Sequence, residues 1–322
     1  MQSTINTLQS KIQFSQASLQ DFVDCRRRFQ LRYLYRLAWP ALEAEPAVEN
    51  ERAMQQGALF HHMIQQHLSG VPVERLDAMA SAQEGQAELE KPQAYNLARW
   101  WQNYLAYAGD LLSIKKVEIQ NLSQDTKDTK ERLIYPEVTL FSSLAEHRVV
   151  AVYDLILVNP GQSALILDWK TSRKRTARQW LSEKLQTRIY PYLLVKAGAH
   201  LNKNSISVGR QFSAGCFPIP EQIEMIYWFA EYPADPERFT YDTSQFRQDE
   251  AYLTSLIQEI SALGEADFPL TTHFERCHFC TYRSLCERGV RAGSFDKIED
   301  SGLAEQAPEQ DFDFEQVGEI AF

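Results

Sequence analysis

The chain has 322 residues, 44% of them hydrophobic and 11% aromatic, with a formal net charge of −10. That length and apolar content suit a large folded domain and exclude a wholly disordered chain. The charge excludes broad nonspecific coating of nucleic acid, but residues 296–322 hold nine acidic residues and one lysine, a net of −8, leaving −2 for the rest.

The opening Met1–Asn6 has neither a basic nor an apolar signal-peptide region, and no stretch is apolar enough to span a bilayer, which predicts a cytoplasmic protein without a membrane partner. Ser18 or a neighbour is positioned to cap a helix running to about Leu37, with Leu19, Phe22, Val23, Phe29, Tyr33 and Leu37 on its apolar side and Pro40 ending it. A second helix from about Glu51 to Leu68 carries Gly57 and His61 one turn apart. Residues 74–112 read as helical, with Trp100, Trp101 and Tyr104 as buried anchors, and residues 125–132 as a charged connector. The period then changes to two. Residues 138–141, 148–158 and 164–170 read as strands, the last two joined by an Asn159-Pro-Gly-Gln turn. A helix from about Ala177 to Ala197 follows, then strand candidates Ser205–Phe217 and Glu224–Phe229, a helix from Ala251 to Leu263, and a cysteine-bearing segment.

This order predicts an α/β (α+β) domain, a central mixed β-sheet flanked by helices. The domain takes in residues 1–295, with a helical insertion at about 40–132 and the cysteine segment at about 270–290. Residues 296–322 read as an acidic disordered tail.

The chemistry centres on Asp154, Asp168 and Lys170. Side chains two apart on a strand share a face, so Asp168 and Lys170 point the same way. A hairpin turning about residue 161 sets Asp154 opposite Asp168, with Cβ atoms about 4.5–5.5 Å apart. Two carboxylates there repel unless a cation lies between them, and oxygen ligands suit Mg²⁺ or Mn²⁺. Lys170 suits orienting a water and steadying charge on a phosphate. Ordinary surface charge is the blander reading. The apolar neighbours Leu165, Ile166, Leu167 and Trp169 favour a buried strand, and so a site.

Asp154 followed by Asp168-Trp169-Lys170-Thr171 resembles the D…(D/E)xK core of the RecB-type branch of the PD-(D/E)xK nuclease superfamily. Gly57-x-x-x-His61 resembles its upstream helix motif and Gln186-x-x-x-Tyr190 its downstream one. Glu137, more loosely, resembles an acidic position before the first core strand, and Ala151 stands where the family often has glycine. The resemblance runs from Cys25 to Cys286 and implies a restriction-endonuclease-like core that hydrolyses DNA. It implies metal ligation by His61, Asp154, Asp168 and the Trp169 carbonyl, assistance to the water by Lys170, and DNA positioning by Gln186 and Tyr190. The implied activity is an Mg²⁺- or Mn²⁺-dependent exonuclease acting on single strands or ends, in DNA repair, recombination or CRISPR adaptation. No Walker A motif occurs, so any helicase partner is a separate chain. A catalytically silent DNA-binding subunit of a helicase–nuclease complex is the competing reading, and the intact Asp154, Asp168 and Lys170 speak against it.

Cysteines stand at 25, 216, 277, 280 and 286. In a cytosolic protein such clustering points to a metal rather than to disulfides. Cys277, Cys280 and Cys286 supply three ligands and Cys25 is the candidate fourth; by ligation alone Zn²⁺ and [4Fe–4S] are equally allowed. RecB-type relatives of the AddB and CRISPR-associated kinds carry one early and three late cysteines around a [4Fe–4S] cluster, so the resemblance implies iron–sulfur in a structural role, with electron transfer as the second reading. Cys216 reads as a core thiol, and His278 as a ligand the site does not need.

Arg173, Lys174, Arg175 and Arg178 follow the Asp168–Lys170 strand. Cations at a helix start oppose its dipole, so they predict contact with DNA phosphates. Arg26, Arg27, Arg28 and Arg32 are further candidates for the same channel.

Overall fold

The computed structural model describes residues 12–37, 47–87, 97–113, 132–202, 217–278 and 280–289. Pro40, the connector up to Glu131, the strand candidate from Ser205 to Cys216 and the acidic tail lie outside them.

Phe14–Ser15 forms a short strand, β1, and leads into helix α1, Gln16–Asp24. Ser15, not Ser18, is the cap. Its hydroxyl accepts from the Ser18 N–H at 3.1 Å while the Ser18 hydroxyl accepts from the Ser15 N–H at 2.9 Å, a reciprocal capping box. The predicted long helix is broken at Cys25, whose backbone is extended (φ −161°, ψ 107°). It resumes as α2, Arg26–Phe29, and ends in a π-helical turn, Gln30–Leu34.

Three helices follow: α3 (Ala47–Leu68), α4 (Val73–Ala87) and α5 (Leu97–Ser113). Strands β2 (Leu133–Leu144), β3 (His147–Asn159) and β4 (Ser163–Lys170) come next. The predicted helix at 177–197 is two helices, α6 (Arg178–Glu183) and α7 (Leu185–Ala197), separated by an extended Lys184. Strands β5 (Ile223–Phe229) and β6 (Tyr232–Thr240), helix α8 (Thr243–Ala262) and a short α9 (Phe274–Cys277) complete the described elements. Strand β6 escaped the sequence reading because it holds Pro233 and Pro236, which a sheet tolerates only at an edge. It is the edge strand here.

The six strands form one mixed sheet ordered β1-β3-β4-β5-β6, with β2 on β3. β3 runs antiparallel to β2 and β4, and β4 parallel to β5. Alternation along the strands builds a core on each face. Ile156, Val158, Ile166, Met225 and Tyr227 pack with α1, α7 and α8, through residues such as Phe22, Ile189 and Ile257. Leu155, Leu157, Leu167, Trp169 and Trp228 pack with α3 and α5, where Trp100, Trp101 and Tyr104 are buried. Each fully buried large apolar side chain stabilises the fold by about 1.5–3 kcal/mol. Asp154, Asp168 and Lys170 fall on the even-numbered, α7-covered face. Among the described residues no helix is long and apolar enough to cross a membrane.

Candidate active site

The β3–β4 hairpin turns about residue 161, as its spacing predicts: Leu155 faces Leu167 and Ile156 faces Ile166. The ladder stops there, one pair short of Asp154 and Asp168. Beyond it the Trp169 N–H donates to Asp154 Oδ2 at 2.8 Å, so a side-chain carboxylate takes the place of a backbone acceptor.

On the other edge of β3, β2 pairs Pro136 with Leu155 and Val138 with Tyr153. Glu137, between them, stands opposite Asp154. Its φ of +49° is left-handed, a conformation costing a non-glycine residue about 1–3 kcal/mol. The strand predicted from sequence starts at Val138, which leaves Glu137 with only the looser family likeness and no place among the ligands. Its register opposite Asp154 was the signal that would have placed it.

Helix α3 delivers His61, whose Nδ1 lies 3.3 Å from Asp154 Oδ1. Gly57 explains how the helix comes so near. A Cβ there would sit 2.9 Å from Thr171 Oγ1, so glycine lets α3 settle on the end of β4, and His61 follows one turn on. One ligand atom each from His61, Glu137 and Asp154 lie within 4.8 Å of one another.

Electrostatics bind the three together. Burial alone would lower the His61 pKa, but the Asp154 carboxylate outweighs it, with help from Asp168 and Glu137, and the imidazole rises to about 9. Burial, then the neighbouring Asp154, pushes Glu137 up to about 7, against the pull of His61. Asp154 moves the other way: burial opposes its charge, yet His61, the Trp169 N–H and Lys170 hold it below the ordinary carboxylate value. Protons on His61 and Glu137 stand where a cation would serve better. An imidazole and two carboxylates are a donor set that suits Mn²⁺ or Mg²⁺, so these residues fit a hard divalent ion.

Behind them, Asp168 is 4% and Lys170 8% exposed. Lys170 Nζ lies 2.9 Å from Asp168 Oδ2 and donates to Gln186 Oε1 at 3.1 Å, while Gln186 Nε2 donates to Asp168 Oδ1. Gln186 therefore orients the carboxylate and the ammonium together. Tyr190, predicted to share its task, is 5% exposed and packs its ring 4.7 Å from that of Tyr153, behind the site. The Trp169 indole lies in the opposite core against Tyr104 and Trp228, leaving only its backbone on the site's strand.

Cys25, Cys277, Cys280 and Cys286 line one pocket, with Arg28 and Arg276. The break after α1 and the turn after α9 bring them there from opposite ends of the fold. Burial pushes the Cys277 and Cys286 thiols up, and Cys280 to about 11. Four sulfur donors around one pocket fit Zn²⁺ and [4Fe–4S] alike. His278 is exposed beside it, and Cys216 lies outside the described residues.

The basic residues divide. Arg175 and Arg178 both pair with the buried Glu237 of β6, Arg178 at 2.9 Å, which anchors the segment after β4. The Arg173 carbonyl accepts from Tyr232 Oη at 2.9 Å, and Lys174 lies between Arg173 and Arg175. In the first arginine group, Arg28 and Arg32 are turned to Asp21, Arg26 to Glu259 and Arg27 to Gln30, contacts that pack α1 and α2.

No curated protein matches the sequence. The crystal structure of SSO0001 is 15% identical, over 74% of this chain and 98% of its own, at a TM-score of 0.32. A structure of a protein from Eubacterium rectale, provisionally named an exonuclease, is 8% identical over 90% and 92%, at a TM-score of 0.40. The profile of the PD-(D/E)XK nuclease superfamily matches residues 13–287, a span that takes in the mixed sheet, the Asp154–Asp168–Lys170 hairpin and the His61 helix. With those residues gathered at one end of the sheet and that match over most of its length, the chain belongs to the PD-(D/E)XK nuclease superfamily.

Proposed function

We propose that this chain is an Mg²⁺- or Mn²⁺-dependent deoxyribonuclease, an exonuclease acting on single strands or ends. The observation that carries the reading is the convergence of His61, Glu137 and Asp154 beside the Asp168–Lys170–Gln186 set. His61, Asp154 and Asp168 hold the ion, with the Trp169 carbonyl, and Glu137 joins them. An ion held there would supply charge to the scissile phosphate and acidity to water. Lys170, fixed between Asp168 and Gln186, orients the attacking water, whose oxygen bonds to phosphorus as the ester P–O bond breaks; the water's proton passes to solvent and the leaving oxygen takes one up. Gln186 positions the scissile phosphate through Asp168 and Lys170 with Tyr190 supporting α7 behind it, and Arg173 and Lys174 meet backbone phosphates, while Arg175 and Arg178, anchored on Glu237, brace the segment that presents them. Cys25, Cys277, Cys280 and Cys286 hold a [4Fe–4S] cluster, with Zn²⁺ as the other fitting occupant. A helicase or another repair or CRISPR protein, as a separate chain, supplies the strand in DNA repair, recombination or CRISPR adaptation.

The test is degradation of end-labelled single- and double-stranded DNA with Mn²⁺ by anaerobically purified protein. Wild type is expected to release labelled products from an end, Asp168→Ala to release none, and Lys170→Ala to be slower by roughly 10²–10⁴-fold, the range for a positioned proton-transfer group. A metal-loaded wild type that binds DNA and leaves it intact sinks the reading.

A further inference from the structure

Arg28 is buried, 9% exposed, and lines the same pocket as the four cysteines. Its guanidinium reaches Asp21 Oδ1 at 2.7 Å and Asp24 Oδ2 at 3.1 Å. Its Nε–H is also buried and meets no hydrogen-bond acceptor among the described residues. Arg32 pairs with Asp21 at 3.3 Å and Arg276 with Asp24 at 2.8 Å. Three guanidinium groups thus share two carboxylates, and the excess positive charge lies against the cysteine sulfurs.

An arginine with an unsatisfied buried donor is an expensive arrangement, since the group gives up its bonds to water and gains none in return. It becomes favourable if the pocket holds an anion. Four thiolates around a doubly charged core carry two net negative charges, whether the core is Zn²⁺ or an oxidised [4Fe–4S] cluster. Sulfur atoms in such centres accept hydrogen bonds that tune affinity and potential.

We propose that Arg28 is a positioning residue for this centre: the buried counter-charge and Nε–H donor that fit the pocket to a dianionic tetrathiolate. The inference rests on the cysteine ligation proposed above.

The experiment titrates Co²⁺ into metal-stripped, full-length protein and follows the thiolate-to-cobalt absorption band. It compares wild type, Arg28→Gln and Arg28→Lys. Wild type is expected to give a four-thiolate spectrum, Arg28→Gln to bind at least tenfold more weakly, and Arg28→Lys, which keeps the charge, to recover part of the loss. Mn²⁺ affinity at the His61–Asp154 site should be equal in all three, which separates the effect from general unfolding. In iron-loaded protein Arg28→Gln should shift the reduction equilibrium at least tenfold toward the oxidised cluster, 59 mV for one electron. Should Arg28→Gln fail to fold, Arg28→Lys, which keeps the charge and loses the Nε–H donor, is compared with wild type alone and is expected to bind Co²⁺ several-fold more weakly. Equal Co²⁺ affinity and potential across the set overturn the role of Arg28 and leave the cysteine site standing. A wild type without the thiolate band overturns the cysteine site and this inference with it.

Discussion

At the scale of single residues, the site holds charge that a cation would reorganise. Free Glu137 titrates at about 7 and His61 at about 9, both above their ordinary values. A metal ion needs both deprotonated, so it must displace protons. Mn²⁺ affinity is therefore expected to rise with pH from about 6 to about 9. Proton release should fall from near two per ion at pH 6 to near one at pH 8, where only His61 remains protonated. The sign for the metal-free fold is opposite. Raised folded-state pKa values mean that the folded protein holds more protons than the unfolded one. Stability from these groups is thus present at low pH and lost as pH rises, through about 4.5–7 for Glu137 and about 6.5–9 for His61. Calorimetric Mn²⁺ titration in two buffers of different ionisation enthalpy checks the proton count; an affinity flat between pH 6 and 9 would falsify this account of the cluster.

At the scale of elements, what the sequence made legible followed local rules. The hairpin through Asp154 and Asp168 was readable because its residues alternate and Asn159-Pro-Gly-Gln is turn chemistry. The breaks at Cys25 and Lys184 were not, since helix-compatible residues run through both and only tertiary contacts decide there. At Cys25 the chain is extended where it lines the pocket shared with Cys277 and Arg28. Gly57 sits between these cases, its spacing to His61 visible and its reason not. Alanine there gains about 0.8–1 kcal/mol of helix propensity but meets Thr171 Oγ1 at 2.9 Å. Overpacking of that kind costs about 1–3 kcal/mol, so the clash wins. Gly57→Ala is expected to weaken Mn²⁺ binding several-fold with the fold intact. Gly57→Ala/Thr171→Ala, which removes the opposing hydroxyl, should restore most of it. A double mutant no better than Gly57→Ala would mean that α3 is not seated on β4 through this contact.

At the scale of the whole molecule, the cysteine pocket joins the two ends of the described fold across about 250 residues, where simple loop-closure models put the entropic gain of a cross-link near 5 kcal/mol. The gain here is smaller, because direct contacts also join the ends. Arg276 bonds Asp24, Gln30 Nε2 donates to the Glu265 carbonyl at 2.8 Å, Tyr282 Oη donates to the Leu37 carbonyl at 3.1 Å, and Phe29 stacks on Phe268. The N-terminal segment also belongs to the core through Leu19 and Phe22. Cys25→Ser is accordingly expected to lower stability by about 2–3 kcal/mol, at the low end of what such links give, rather than to unfold the domain. The loss should concentrate in α1, α2 and the cysteine segment, while the sheet and the helices on its other face keep their protection. Chemical denaturation reads the total, and amide exchange reads its distribution. A Cys25→Ser protein as stable as wild type, with α1 equally protected, would show that packing alone joins the ends. Loss spread evenly over the sheet would show instead that the cysteine centre is a condition for folding rather than a clamp upon a folded domain.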